Sequence, residues 1–339
     1  MSLLPFLHAV VEGQNLTGEQ AQAAMLTILS GEATPAQIAA FLVALRMKGE
    51  TATELRGFAE AMRQRAQLAD PGLGERPVVD TCGTGGDGGR TFNISTIAAF
   101  VVAGCGVAVA KHGNRSLSSQ CGSADLLEEL GVRIALDVQQ ATESLRRTGF
   151  GFYFAPLIHP AMKHAQPARA ELKMRTVFNL LGPLTNPTRA PYQLIGAPSK
   201  ESAQLMAEAL AGMAHIRRAL VVHGRDGLDE VSTTTESDAF LVDSGRISHL
   251  VLQPEDFGLR RAELEQLAGG DRWVNARIAS EVLQGCGGPR QEIVEVNAAV
   301  TLWLCGVCED FHQAMEAARH SIRSQAAAQC LQRVREFQV

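Results

Sequence analysis

The sequence has no long uninterrupted hydrophobic run. Its most apolar stretch, residues 97–110, is broken by Gly104 and Gly106 and is too short to span a bilayer. The opening residues, MSLLPFL, have neither the length nor the basic start of a signal peptide. Both absences argue against a secreted or membrane-embedded protein, so we expect a cytoplasmic one.

Excess positive charge is also absent, and cysteine is sparse. A formal net charge of −5 and a pI near 6.0 argue against nucleic acid or a membrane as a general partner, although a local basic pocket is still possible. The seven cysteines are an odd number without a dense framework, which is typical of a reducing compartment. Any anionic ligand must therefore be held locally.

One C-x-x-C pair, Cys305 and Cys308, could suggest redox or metal chemistry. It lies within an apolar-periodic segment, residues 294–318, and has no second Cys or His pair nearby. We interpret it as part of a buried helix.

The chain is long enough for one large domain and a smaller one, with 46% hydrophobic residues in a total of 339. The first 70 residues indicate helices only. Thr17 with Gln20 and Thr51 with Glu54 fit the capping box, and Thr34 precedes a first-turn proline. Residues 68–77 collect glycine, proline and charge, so they are the predicted linker.

Beyond the linker, strand and helix patterns alternate, which predicts an α/β fold with a mainly parallel central sheet flanked by helices. The predicted strands are residues 78–79, 107–110, 132–136, 150–154, 192–195 and 219–222, followed by a strand pair within 239–251. The predicted helices between them are residues 95–105, 124–130 and 138–147. Ligands of such sheets bind at the carboxyl ends of the strands.

A glycine-rich loop, VVDTCGTGGDGGRTFNIST, follows the first of these strands. Gly83, Gly85 and Gly88 fit the dinucleotide pattern G-x-G-x-x-G, but the helix cannot easily begin before Asn93. A dinucleotide fold also needs an acidic residue at the end of the second strand, about 20 residues after the glycine pattern, and this chain has Lys111 there. The P-loop pattern fails as well, because arginine stands at its lysine position. Neither nucleotide motif therefore explains the loop.

The remaining features indicate a polyanion. Asn93, Ser95 and Thr96 lie at a helix N-terminus, where free N–H groups and the helix dipole suit a phosphate, and Lys111 ends the next strand. Asp87 would repel a bare phosphate, so we expect it to meet a ribose hydroxyl or a hydrated cation. Serines up to Ser123 precede a further helix and predict a second anion site.

Several segments together resemble the anthranilate phosphoribosyltransferase family of tryptophan biosynthesis over nearly the whole chain. They are PAQIAAFLVALRMKGET, GTGGDG, KHGNRSLSS with GSADLLEELG, HPAMKHAQPARAELKMRTVFNLLGPLTNP, and GLDEVS. The resemblance implies a small helical domain over residues 1–70, completed by helices within 160–190, and a large α/β domain over 76–339 that binds 5-phosphoribosyl 1-pyrophosphate (PRPP). It also implies a homodimer formed through the helical domain.

The resemblance implies two substrates, PRPP and anthranilate, with Mg²⁺ as the cofactor. The residues matched to PRPP binding are Gly83, Gly85, Gly86, Asp87, Thr91, Asn93, Ser95, Thr96, Lys111, His112, Gly113, Asn114 and Ser123. Those matched to anthranilate binding are Gly83, His112, Asn114, His159, Arg169 and Gly182, and those matched to the metal are Ser95, Asp229 and Glu230. Because the amine of anthranilate is already neutral near pH 7, we expect no essential general base.

Two other functions fit the sequence less well. A pyrimidine nucleoside phosphorylase would share the architecture, but that family carries a K-x-S-G-R type of segment where this chain has KHGNR. A non-catalytic, nucleic-acid-binding paralogue would lose GTGGD and the DE pair and gain basic charge. The chain departs from the family pattern at Gln120, Cys121, Lys173 and Met174, none of which is a matched ligand.

Overall fold

The computed structural model describes residues 2–86, 89–116 and 120–337. Its N-terminal part contains the helices α1 Leu4–Val11, α2 Gly18–Leu29, α3 Pro35–Lys48 and α4 Ala52–Gln64. Thr17, Thr34 and Thr51 each accept a hydrogen bond from the backbone three residues on, and each forms a full capping box. The helix starts predicted from these threonines are therefore confirmed.

A seven-stranded sheet forms the centre of the larger part, in the order β3-β2-β1-β4-β5-β6-β7. Its strands are β1 Val78–Gly83, β2 Ala108–Gly113, β3 Phe150–Phe154, β4 Tyr192–Gly196, β5 Arg218–Gly224, β6 Ser237–Asp243 and β7 Arg246–Leu252. Strands β1 to β5 pair in parallel, and β6 and β7 are added as an antiparallel hairpin. The predicted fold class is confirmed, and so is the strand pair after residue 239.

Helices cover both faces of the sheet. They are α5 Ile94–Gly104, α6 Ser123–Glu129, α7 Val138–Thr148, α8 Ala155–Ile158, α9 Gln166–Leu172, α10 Phe178–Leu184, α11 Lys200–Ala211, α12 Arg272–Gln284, α13 Pro289–Leu304, α14 Phe311–Arg323 and α15 Ala326–Glu336. One core combines α5 with α12 to α15. A second core combines α1 to α4 with α9, α10 and α11. A third, smaller core lies between α7 and the strands β1 to β3. The predicted domain boundaries, 1–70 and 76–339, remain a prediction.

The predicted strand over residues 132–136 is wrong. This segment is irregular in the structure, although Val132, Ile134 and Leu136 are buried and Arg133 and Ala135 are exposed. The alternation of apolar residues therefore reflects an extended segment lying on the core, because alternating burial does not require a hydrogen-bonded strand partner.

Two segments whose sequence pattern is helical, residues 160–172 and 294–318, are each divided in the structure. Residues 160–172 form a 3₁₀ helix, Pro160–His164, and then α9, whose first turn contains Pro167. The segment around Cys305 and Cys308 is not one helix either, because α13 ends at Leu304 and both cysteines are buried in the turn region before α14. Within the part of the chain that the structure describes, no cluster of three or more His, Cys, Asp or Glu could hold a metal.

The structure contains no membrane-spanning candidate among its described helices, since none is both long enough and apolar enough.

The backbone pairing of the sheet is interrupted between β1 and β2. The register of β1 with β2 covers only Val78 with Ala108 and Val79 with Val109. On its other edge β1 stays paired with β4 from Val79 to Gly83. The backbone pairing of β1 with β2 therefore stops beyond Val79, although Lys111, His112 and Gly113 of β2 stay paired with β3. The glycine-rich segment follows β1 next to this carboxyl end of β2.

Candidate active site

A cleft of about 280 Å³ lies at the carboxyl ends of β1 and β2. Residues from five separate segments line it, including the segment that follows β5. The predicted site residues on its wall are Gly83, Gly85, Thr91, Asn93, Ser95, Thr96, Lys111, His112, Gly113, Asn114, Ser123, Asp229 and Glu230. Gly86 adjoins the cleft through its backbone, and Asp87 lies outside the described residues. The structure thus brings most of the predicted residues together.

The glycine-rich loop packs tightly against the acidic pair. Gly86 N donates a 2.9 Å hydrogen bond to Asp229 Oδ2. A Cβ atom at Gly83 would lie 2.7 Å from the same oxygen, so a side chain at this position would displace the Asp229 carboxylate. The conformation of Gly85, with φ of +67°, is one that glycine adopts without strain.

Helix α5 begins at the floor of the cleft. Its N-cap residue, Asn93, makes no capping bond, and its side chain instead donates to Cys121 O at 3.0 Å. Ser95 N donates to Glu230 Oε1 at 3.2 Å. A carboxylate at a helix N-terminus is favoured by the backbone N–H groups and by the helix dipole, so this end of α5 also suits an anionic ligand.

Lys111 is the buried cation of the cleft. Only 2% of its surface is exposed, and its Nζ donates to Thr81 O and, at 3.3 Å, to Ser95 Oγ. Burial lowers the pKa of Lys111, and the nearby Asp80 carboxylate opposes that shift. The cleft therefore combines a fixed ammonium group and backbone N–H donors with the two carboxylates.

A pair of buried histidines adjoins the cleft. His112 Nδ1 lies 3.1 Å from Gly182 O, and because a carbonyl only accepts, Nδ1 carries the proton. His112 Nε2 is then an acceptor, and it is buried with no hydrogen-bond partner in the described part of the chain. The ring of His159 lies against it, with 5.1 Å between the ring centroids. Burial lowers the pKa of His112 to about 4, and burial together with His112 lowers that of His159 to about 3.

Three residues of the predicted acceptor site lie outside the cleft wall. Gly182 and His159 are reached through His112, which both of them contact. Arg169 lies on α9, and its guanidinium carbon is 5.0 Å from the centroid of the Phe178 ring. Burial lowers the pKa of Arg169. The neighbouring helix α10 reaches the cleft itself through Asn179.

Sequence reasoning missed three residues of the site. Arg175 lines the cleft and donates to Gly85 O at 2.7 Å and to Thr84 O at 2.9 Å, so it holds the glycine loop. Asn275 on α12 donates to Asn93 Oδ1 at 3.0 Å and fixes that side chain. Asn179 is the third. Arg175 and Asn179 fall within a quoted motif, whereas Asn275 lies 182 positions from Asn93 and no local pattern indicates it.

Two of the departures from the family pattern have a structural setting. Lys173 ends α9 in the left-handed region, with φ of +47°, a position that glycine usually occupies at helix ends. Cys121 lines the cleft, and its carbonyl accepts from Asn93. Met174 and Gln120 are both exposed, and nothing in the structure explains either of these two changes.

Comparison with known proteins gives matches over nearly the full length. The helical bundle domain of the glycosyl transferase family matches residues 4–66, and the a/b domain of that family matches residues 75–328. The anthranilate phosphoribosyltransferase of Solibacter usitatus is 53% identical over 337 residues, 99% of each chain. That of Moorella thermoacetica is 53% identical over 324 residues, 95% of this chain and 94% of the relative.

Solved structures of the same name are similar in fold. The Thermus thermophilus enzyme has a TM-score of 0.91 at 42% identity, with 98% of each chain covered. The Saccharomyces cerevisiae enzyme in complex with PRPP and Mg has a TM-score of 0.90 at 29% identity, covering 98% of this chain and 97% of that one. The same yeast enzyme in complex with 4-fluoroanthranilate has a TM-score of 0.88 at 29% identity, covering 98% and 96%.

The two buried histidines should stay neutral far below the usual pKa of a histidine, about 6.5. In protein labelled with ¹⁵N-histidine, the ring signals of His112 and His159 should show no titration between pH 8 and 5, and His112 should show a protonated Nδ1. Because the unfolded chain takes up these protons at higher pH than the folded one, both rings should lower stability as the pH falls below about 6.5. His112→Asn and His159→Asn assign the signals. Titration of either ring near pH 6.5 would show that it is not desolvated.

Proposed function

The chain belongs to the anthranilate phosphoribosyltransferases, and we propose that its cleft holds PRPP with Mg²⁺ and that anthranilate binds beside His112. Enzymes of this family are pentosyltransferases of tryptophan biosynthesis. They transfer the phosphoribosyl group of PRPP to the amine of anthranilate, which gives N-(5-phosphoribosyl)anthranilate and pyrophosphate. One observation carries the arrangement: cations, backbone N–H groups and a carboxylate pair face a single cleft at the strand ends.

PRPP binding is supported by the donors in the cleft. The α5 N-terminus and the Lys111 ammonium group would bind phosphate oxygens, and the loop Gly83–Gly86 leaves space for close approach of the backbone. We propose these residues for PRPP: Gly83, Gly85, Gly86, Asp87, Thr91, Asn93, Ser95, Thr96, Lys111, His112, Gly113, Asn114 and Ser123.

Magnesium binding is supported by the chemistry of the donors. Asp229 and Glu230 each bond a backbone N–H of the same loop region, and the Ser95 hydroxyl lies beside them. Mg²⁺ prefers oxygen ligands, and it commonly binds one or two carboxylates together with substrate phosphates and water. We propose Ser95, Asp229 and Glu230 as its ligands. When bound, the ion supplies positive charge to the leaving pyrophosphate.

Anthranilate binding is supported by the two neighbouring rings of His112 and His159 and by the unpaired Nε2 of His112 in the described part of the chain. The free lone pair on His112 Nε2 can accept an N–H of the aromatic amine and so orient its nitrogen. Arg169 would bind the carboxylate, because a guanidinium offers two parallel donors. The proposed acceptor residues are Gly83, His112, Asn114, His159, Arg169 and Gly182.

The chemistry needs positioning more than proton abstraction. The amine of anthranilate is neutral near pH 7, and its nitrogen attacks the anomeric carbon while the bond to pyrophosphate breaks. The nitrogen, positively charged once the new bond has formed, then releases one proton to water. Lys111 and the N–H groups of α5 stabilise the charge that develops on the leaving group. The low pKa of His112 makes it a weak base, so we assign it orientation of the amine and no essential proton removal.

Assembly and location are proposed on separate observations. Leu4 and Val11 on α1 and Met47 on α3 are exposed apolar side chains on two neighbouring helices, which supports a homodimer through the helical domain.

The cytoplasmic location is supported by the seven cysteines, all of which are free thiols. We also propose the domain division at residues 1–70 and 76–339, with the helices α9 and α10 completing the smaller domain.

The direct test of the proposed function follows the fluorescence of anthranilate. Folded protein mixed with anthranilate, PRPP and Mg²⁺ should consume the signal at a rate proportional to enzyme concentration. Mixtures that lack PRPP or contain a chelator should show no loss. A stable signal in the complete mixture would refute the proposal.

Arg169→Ala should raise the KM for anthranilate by about 10- to 100-fold and change the KM for PRPP much less, because a hydrogen bond to a charged group contributes roughly 1.5–3 kcal/mol. Arg277→Ala, on an exposed arginine of α12, is the matched control and should change neither. Equal increases in both KM values for Arg169→Ala would remove Arg169 from the acceptor site.

Asp229→Asn and Glu230→Gln should each require more Mg²⁺ and regain part of the activity at high Mg²⁺, because an amide keeps an oxygen ligand but loses the charge. The double variant should lose far more, since both positions serve one ion cluster. Initial rates measured against Mg²⁺ at saturating anthranilate give the comparison, with the exposed Glu265→Gln as control. An unchanged Mg²⁺ requirement in all three variants would place the metal elsewhere.

A further inference from the structure

Side chains replace the backbone ladder where β1 and β2 separate. Beyond Val79 the next residue of β1, Asp80, is fully buried beneath the cleft. Its Oδ1 accepts a 3.2 Å hydrogen bond from His112 N, and its Oδ2 accepts a 2.7 Å bond from Asn186 Nδ2. The same Asn186 Nδ2 also donates to Ala110 O of β2 at 2.7 Å. An aspartate and an asparagine thus satisfy the groups that strand pairing leaves open.

The orientation of Asn186 is fixed by its other contacts. Its Oδ1 accepts from Thr188 N at 2.9 Å and from Thr188 Oγ1 at 2.7 Å. Both ends of the amide are therefore occupied, and the amide cannot be reversed without losing four hydrogen bonds. The Nδ2 group of Asn186 is therefore held facing Asp80 as a hydrogen-bond donor.

His112 is held at two points. Its backbone N–H is bound by Asp80, and its ring Nδ1–H is bound by Gly182 O. Gly182, which accepts from the ring, lies in α10, and Asn186, which bonds Asp80, follows directly after that helix. Asp80 therefore links the two segments that determine where His112 Nε2 points.

We propose that Asp80 is a positioning residue for the acceptor substrate: its carboxylate binds His112 N and Asn186 together and so sets the direction of the His112 Nε2 lone pair. This inference rests on the proposed role of His112 in binding anthranilate. Asp80 itself lies below the cleft wall and does not line it.

The charge of Asp80 fits its surroundings. Burial raises the pKa of Asp80 to about 6, and the bond from Asn186 and the charge of Lys111 oppose that shift. The ionised carboxylate in turn favours the charged form of the buried Lys111. The two buried groups thus compensate each other directly beneath the proposed substrates.

An amide at position 80 cannot reproduce these contacts. Asp80 receives one nitrogen donor on each carboxylate oxygen, besides a hydrogen bond with the Cys82 thiol, whereas asparagine offers one oxygen and one NH₂ group. In Asp80→Asn, the NH₂ group must face either His112 N–H or Asn186 Nδ2, and one buried donor then loses its acceptor. The change keeps the size of the side chain, so it tests hydrogen bonding and charge rather than packing.

The experiment measures the kinetics and a spectroscopic signature of Asp80→Asn. The KM for anthranilate should rise about tenfold, and more than the KM for PRPP. In ¹⁵N-histidine-labelled protein, the backbone amide proton of His112 should move upfield, because it loses a carboxylate acceptor. Asp238→Asn is the matched control, since Asp238 is a buried aspartate of the same sheet that does not line the cleft. It should alter neither quantity.

An unchanged His112 amide signal in Asp80→Asn, or equal rises in both KM values, would overturn the proposal. If this variant does not fold, Asn186→Ala takes its place. It should raise the KM for anthranilate more than the KM for PRPP, by a smaller factor than Asp80→Asn. Equal rises in both KM values would again overturn the proposal. The amide signal is independent of turnover. A wild-type protein without activity would therefore refute the proposed function. The contact between Asp80 and His112 would still be tested by the change in the His112 amide signal between wild type and Asp80→Asn.

Discussion

The separation of β1 from β2 is the constraint on which the site depends. Two residue pairs join these strands, and then their carboxyl ends part while β1 remains paired with β4. The gap lets a glycine-rich loop and the Lys111–Gly113 segment face each other across one cleft. Asp80 and Asn186 satisfy the backbone at the opening.

A second constraint is the close approach of the acidic segment to the glycine loop. A side chain at Gly196 would collide with the Asp229 backbone, and one at Gly83 would crowd its carboxylate. These glycines therefore allow Asp229 and Glu230 to reach N–H groups of residues 86 and 95. The cleft thereby presents negative and positive groups side by side, as a magnesium complex of a diphosphate requires.

The sequence predicts the features that depend on local patterns. The three threonine helix starts, the parallel sheet and the gathering of residues 83–96 with Lys111 and Asp229 follow from periodicity, capping signals and the resemblance of the motifs. Features that depend on tertiary contacts were not predicted. Residues 132–136 alternate like a strand but find no partner strand, and the bond of Asn275 to Asn93 joins segments that only the fold brings together. Lys173 at the end of α9 likewise has the left-handed backbone conformation that glycine usually adopts there, so the surrounding structure overrides the local preference of lysine.

A crystal structure of this protein with PRPP and Mg²⁺ tests most directly whether one cleft binds the phosphates and the metal together. We predict the pyrophosphate against the N-terminus of α5 and Lys111, with Mg²⁺ about 2.0–2.1 Å from a carboxylate oxygen of Asp229 or Glu230. PRPP bound away from this cleft, or a metal ion that contacts neither carboxylate, would contradict that arrangement.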